Sequence, residues 1–172
     1  INSINNVSTK YNETAGGKVK KIGLFCKPKA PSAANTLRKL THWLRKLNCQ
    51  VFLDTATATI INEPSSHSKA TVSEIADLLI VLGGDGTLLS VARAAHSHNV
   101  PILAVNLGSL GFLAEISLDE LYPTLENILN DKFEIESRML LNAYIWRNGE
   151  KVEDYNVLND IVINKGVVAR VI

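Results

Sequence analysis

Residues 77–87 read Asp77-Leu78-Leu79-Ile80-Val81-Leu82-Gly83-Gly84-Asp85-Gly86-Thr87, an apolar run that ends in a cluster of glycines. The run does not alternate apolar with polar residues, which is the pattern of a strand covered on both faces in a parallel sheet. From Thr87 to His98 the apolar residues Leu88, Val91, Ala92 and Ala95 recur at helical spacing. The order is strand, glycine turn, helix, the unit from which α/β sheets are assembled.

The same alternation extends outward. On the N-terminal side, Lys21 to Cys26 reads as a strand, Pro28 to Ser32 as a turn, Leu37, Leu40, Leu44 and Leu47 as the apolar stripe of a helix, and Cys49 to Leu53 as a second strand. Thr55 to Thr71, rich in Thr, Ser and Asn and containing Pro64, is expected to be a loop. On the C-terminal side, Pro101 to Val105 is another buried strand, and Ser117 with Glu120 forms a capping-box pattern opening a helix that runs to about Leu129. Residues 19–132 are therefore predicted to form an α/β domain with an open, mostly parallel, Rossmann-like sheet.

From Phe133 the pattern changes. Phe133-Glu134-Ile135-Glu136 alternates, an extended run follows to Trp146, Asn148-Gly149 signals a tight turn, and Tyr155 to Asn164 reads as a strand. Residues 133–172 are expected to begin a second, all-β domain that is truncated inside a strand. Residues 1–18 lack the apolar region of a signal peptide and are expected to be a mobile polar tail.

Composition sets further bounds. The chain has 172 residues, is 46% hydrophobic and 20% charged, and carries a formal net charge of +1. Such a chain buries a sizeable core and projects no broad basic field to gather nucleic acid. No stretch approaches the roughly 20 apolar residues that span a bilayer, so no membrane partner is expected. Cys26 and Cys49 match no metal-ligand spacing and are expected to be buried and reduced, as in a cytoplasmic protein. His96 and His98, at the end of the glycine-loop helix, suit the negative end of its dipole better than a metal, and His42 and His67 are expected at the surface.

The glycine loop carries the chemistry. Gly83, Gly84 and Gly86 are expected to let the backbone turn sharply and approach a ligand closely, while the following helix offers its free N–H groups to a phosphate. The loop lacks the Lys-Ser/Thr ending of a P-loop, and a dinucleotide fingerprint read from Gly84 meets Leu89 where its third glycine belongs. Asp85 is the unusual feature, because an incoming phosphate repels a carboxylate unless a cation or a reacting hydroxyl stands between them. It can orient a substrate hydroxyl and accept its proton in phosphoryl transfer, or it can simply cap the helix.

Here the sequence resembles a known group. The stretch Gly83 to Thr87 is similar to the motif shared by NAD kinases, diacylglycerol and sphingosine kinases and, with Ser for Thr, phosphofructokinases. Asn106-Leu107-Gly108-Ser109-Leu110-Gly111-Phe112-Leu113 resembles the segment that NAD kinases carry after the next strand, and Leu158-Asn159-Asp160-Ile161-Val162-Ile163 resembles their Asn-Glu/Asp pair at the start of a β-rich domain. The three fall in family order, and the likeness runs from about Ile22 to Ile172.

The resemblance implies phosphorylation of the adenosine-ribose 2′-hydroxyl of NAD to give NADP, with ATP or polyphosphate as donor and Mg²⁺ or another divalent ion carried mainly by the phosphates rather than by protein ligands. It implies Asp85 as catalytic residue, with Gly84 and Gly86 shaping the phosphate-contacting turn. It implies Phe112 lining the adenine pocket, Asn159 and Asp160 hydrogen-bonding NAD, and Arg170 near the dinucleotide. Plain alternatives stand beside these: a core position for Phe112, an exposed strand-edge pair for Asn159 and Asp160, a solvated arginine for Arg170. Ser90 occupies a position where some relatives place a basic side chain, and it receives no role. The family's Thr-Pro-Thr-Gly-Ser-Thr-Ala-Tyr loop does not occur in the sequence, and a homodimer or homotetramer is implied. A lipid or sugar-phosphate kinase and a non-catalytic dinucleotide-binding module are the competing readings.

Overall fold

The structure is a computed structural model and describes residues 19–27, 33–108, 111–114, 116–158 and 160–162. The expected tail at 1–18, the turn from Pro28 to Ser32, and the end of the last expected strand lie outside these residues. The chain divides into two compact units between Ser137 and Arg138.

The first unit is the expected parallel sheet. Its strands are β1 (Lys21–Cys26), β2 (Gln50–Leu53), β3 (Leu78–Leu82) and β4 (Ile102–Val105), in the order β2-β1-β3-β4 with every neighbour parallel. The side-chain period of two sends Ile22, Leu24, Cys26, Leu78, Ile80 and Leu82 into one core and Phe25, Leu79 and Val81 into another. Helix α1 (Ala33–Lys46) covers the first face with Leu37, Leu40 and Leu44. Leu47, expected on the same stripe, lies past the helix end and is 48% exposed, because Asn48 takes a left-handed conformation (φ 60°) and stops the helix.

The segment expected to be a loop, Thr55 to Thr71, holds the short helix α2 (Thr55–Ile61) and the first turn of a second, α3 (Lys69–Ile75). Each has a polar N-cap whose side chain accepts a backbone N–H: Asp54 Oδ1 from Thr57 at 2.9 Å and Ser68 Oγ from Thr71 at 3.1 Å. Local capping and the burial of Thr57, Ala58, Ile61 and Val72 outweigh the weak helix propensity of Thr and Ser. Helix α3 packs close to β1 at Gly23, where a Cβ would stand 2.6 Å from Val72 Cγ1 and 2.7 Å from Leu79 Cδ2.

Helix α4 (Asp85–Ala95) follows β3 and begins two residues earlier than the periodicity suggests, with Leu88, Val91, Ala92 and Ala95 buried as expected. Helix α5 (Leu121–Leu129) starts at Leu121, not Ser117. Glu120 Oε2 accepts both the backbone N–H and the hydroxyl of Ser117, so the hydroxyl is used as a donor and caps no helical N–H.

The second unit contains β5 (Leu141–Arg147) and β6 (Glu150–Val157), paired antiparallel. Asn148 (φ 52°) and Gly149 (φ 85°) form the two-residue turn the sequence signalled. So tight a turn lets β6 begin at Glu150, ahead of the expected Tyr155. Phe133 to Glu136 alternate in sequence and an extended run is expected after them, but residues 133–140 form no strand.

Candidate active site

The chain leaves β1 toward β2 on one side, and β3 leads to β4 on the other, so a crevice opens between the carboxyl ends of β1 and β3. A cavity of about 320 Å³ lies there. Cys26 and Lys27 reach it from the end of β1, Asp54 and Thr57 from the start of α2, Lys69 from α3, and Gly84, Gly86, Thr87 and Ser90 from the glycine loop and α4. The Cys26 N–H donates to Thr57 Oγ1 at 3.0 Å, which ties the end of β1 to α2.

The glycines act by clearance. Among the described residues the sole glycine with positive φ is Gly149, so Gly84 (φ −97°, ψ −172°) makes the strand-to-helix turn in an ordinary extended conformation. A Cβ on Gly84 or Gly86 would meet nothing within 4 Å. The expected conformational need of these glycines is thus replaced by another: bare backbone facing the open crevice.

Asp85 is the first residue of α4. Its N-cap is Gly84, which has no side-chain cap bond, so the alternative of Asp85 as a helix cap falls away. The carboxylate instead accepts backbone N–H groups from a separate loop: Phe112 to Oδ2 at 2.9 Å, Leu113 to Oδ1 at 3.1 Å and Ala114 to Oδ1 at 3.2 Å. The Phe112 N–H, then those of Leu113 and Ala114, hold its pKa below the ordinary 3.8 against the opposing effect of desolvation. Approach is close at Gly111, where a Cβ would overlap the Asp85 carboxylate, 2.8 Å from Cγ.

Gly84, Asp85, Gly86 and the backbone of Phe112 therefore meet, although the Asp85 side chain is not part of the cavity lining. The Phe112 ring is 95% exposed, which rules out the core position considered for it. Asp160 is exposed in the second unit. Asn159 and Arg170 lie outside the described residues.

Sequence reasoning missed Lys27, Lys69, Asp54 and the three amides at 112–114. Lys27 directly follows a strand's carboxyl end, which was a usable signal, whereas Lys69 sat in the supposed loop. Two lysines and the N-terminus of α4 outweigh the one carboxylate, Asp54, so the crevice favours an anion. Burial, reinforced by Asp54, pushes the Cys26 thiol up to about 11, so it is an inert lining residue and no nucleophile. Both cysteines are free and buried, as expected. Among the described residues no group of three or more His, Cys, Asp or Glu side chains can hold a metal ion, and no helix is long and apolar enough to cross a membrane.

Residues 22–133 match the family described as the ATP-NAD kinase N-terminal domain. The chain is 46% identical over 155 residues to the NAD kinase of Syntrophotalea carbinolica, covering 90% of this chain and 54% of that protein. It is 45% identical over 157 residues to the NAD kinase of Geobacter sp. strain M21, with the same coverage. It thus spans about half the length of the curated relatives it matches. A crystal structure of yeast NADH kinase complexed with NADH shares the fold at a TM-score of 0.68 and 19% identity, over 84% of this chain and 48% of that one.

Proposed function

The chain belongs to the ATP-NAD kinase family, and from that premise we propose that the whole protein transfers a phosphoryl group from ATP to the adenosine-ribose 2′-hydroxyl of NAD. The observation that carries this reading is the juxtaposition of Asp85, held by the amides of Phe112, Leu113 and Ala114, with a positive crevice walled by the bare backbone of Gly84 and Gly86.

A carboxylate has about four acceptor positions, of which the amides take three. Oδ2 carries one amide bond and keeps room for a substrate hydroxyl. Because its pKa is depressed, Asp85 is a weak base and chiefly an orienting group: it aligns the hydroxyl for in-line attack and takes its proton late, as charge develops on that oxygen. The donor's phosphates lie over Gly84 to Thr87, where the first free N–H groups of α4 face them. The crevice has a single carboxylate, so a divalent cation belongs to the metal-triphosphate substrate and not to a protein cage.

Phe112, exposed beside Asp85, is assigned to the adenine, and Asn159, Asp160 and Arg170 to the dinucleotide, on the strength of their motif positions. A homodimer or homotetramer in the cytoplasm is part of the proposal, the location supported by two free buried thiols. The test is NADP formation from ATP and NAD by the full-length protein, read with an NADP-specific dehydrogenase. Binding of NAD without turnover would leave a dinucleotide-binding module, and turnover of a lipid or sugar phosphate alone would leave a different kinase.

A further inference from the structure

Lys69 is the first residue of α3, yet its side chain serves another helix. Its Nζ donates to Ser90 Oγ of α4 at 2.7 Å, and both residues line the crevice. Ser90 stands four residues after Gly86, so the two share a face of α4 one turn apart. The ammonium is thereby held beside the bare Gly86 backbone.

The electrostatics of this placement do not serve the fold. A cation in the first turn of a helix opposes the dipole, and Lys69 shares the crevice with Lys27 and the N-terminus of α4. Among the described residues Lys69 forms no ion pair, although Asp54 lines the same cavity. Two lysines and a helix N-terminus gathered against the single carboxylate of Asp54 leave an excess of positive charge that an arriving anion relieves. Ser90, a neutral hydroxyl, fixes the ammonium without neutralising it.

We propose that Lys69, positioned by Ser90, is a substrate-binding residue that grips the phosphate chain of a nucleotide substrate above Gly86. The inference rests on the reading above for which nucleotide carries that chain: the donor's triphosphate or the pyrophosphate of NAD. Its chemistry is the same for both. Lys69 supplies from α3 a charge that a basic residue at position 90 would supply from α4.

The experiment uses the full-length protein and its Lys69→Gln, Lys69→Arg and Lys69→Gln/Ser90→Arg variants. Steady-state KM for ATP and for NAD, and calorimetric affinity for inorganic tripolyphosphate, are measured for each. Lys69→Gln is expected to weaken tripolyphosphate binding and to raise one KM about 10- to 100-fold, the range of a lost charge-assisted hydrogen bond, with a smaller change in kcat. The KM that moves identifies the carrier. Lys69→Arg and the double variant are expected to recover most of the loss, and the melting temperature of Lys69→Gln is expected not to fall. Wild-type affinity and wild-type KM values in Lys69→Gln overturn the proposal, as does a loss that neither charged variant recovers. If the wild type makes no NADP but Lys69→Gln still abolishes tripolyphosphate binding, the kinase reading falls and the phosphate grip stands.

Discussion

Asp85 Oδ2 accepts the backbone N–H of Phe112 at 2.9 Å across 27 residues of chain, so the candidate catalytic carboxylate and the loop after β4 hold each other in place. Asparagine keeps the shape of this side chain but turns an NH₂ toward N–H donors. Asp85→Asn is expected to lower turnover of NAD by about 10²- to 10⁴-fold, with KM values for ATP and NAD changing far less. Steady-state kinetics on the full-length protein check this, and unchanged turnover would remove Asp85 from the mechanism.

Gly111→Ala places a Cβ against the Asp85 carboxylate, so either the loop or the acid must shift. Turnover is expected to fall by up to about 100-fold, the effect of displacing a positioned group by an ångström. Gly108→Ala in the same loop meets nothing within 4 Å and is expected to change little. Equal effects of the two substitutions would show that the contact at Gly111 is unimportant.

The sign of the Asp85 pKa shift fixes a pH window. Its folded value is below the ordinary 3.8, so the stability it contributes is fully present above that ordinary value and is lost as pH falls through the lower folded one. The melting-temperature difference between wild type and Asp85→Asn is expected to stay constant from about pH 8 down to about pH 5 and to shrink only in stronger acid. Shrinkage already near neutral pH would contradict the three amide bonds.

Gly23→Ala tests the seat of α3. The added Cβ overlaps Val72 Cγ1 and Leu79 Cδ2 in a filled core, and overpacking of this kind destabilises by about 1–3 kcal/mol. Urea unfolding of the full-length protein measures it. Because α3 carries Lys69, tripolyphosphate affinity is expected to drop in the same variant.

Much of the frame was legible from residue pattern. β3 and the glycines after it announced a covered strand meeting a helix, and Asp85 stood out because a carboxylate is unexpected at a phosphate turn. The two helices α2 and α3 were hidden because Thr, Ser and Asn suit both loops and helix caps, and burial of Ala58 and Val72 decides between them only in three dimensions. The partners of Asp85 were hidden for a different reason: the amides of Phe112, Leu113 and Ala114 are main-chain groups, common to every residue but proline, and a sequence does not say where they point. The exposed ring of Phe112 likewise follows from a loop path that no periodicity encodes.

At the rim of the sheet opposite the crevice, Asp77 Oδ2 accepts the N–H groups of both Lys20 at 3.0 Å and Lys21 at 2.8 Å. This clasp fixes the level at which β1 starts against β3, and a slip of a single residue would turn every side chain of a strand to the wrong face. Cys26 stands opposite Leu82 only because that starting level is kept, some 15–20 Å away at about 3.3 Å per residue. A harmful substitution at Asp77 would then look, to an enzymologist, like damage to the ligand cradle, though nothing in the cradle had been changed.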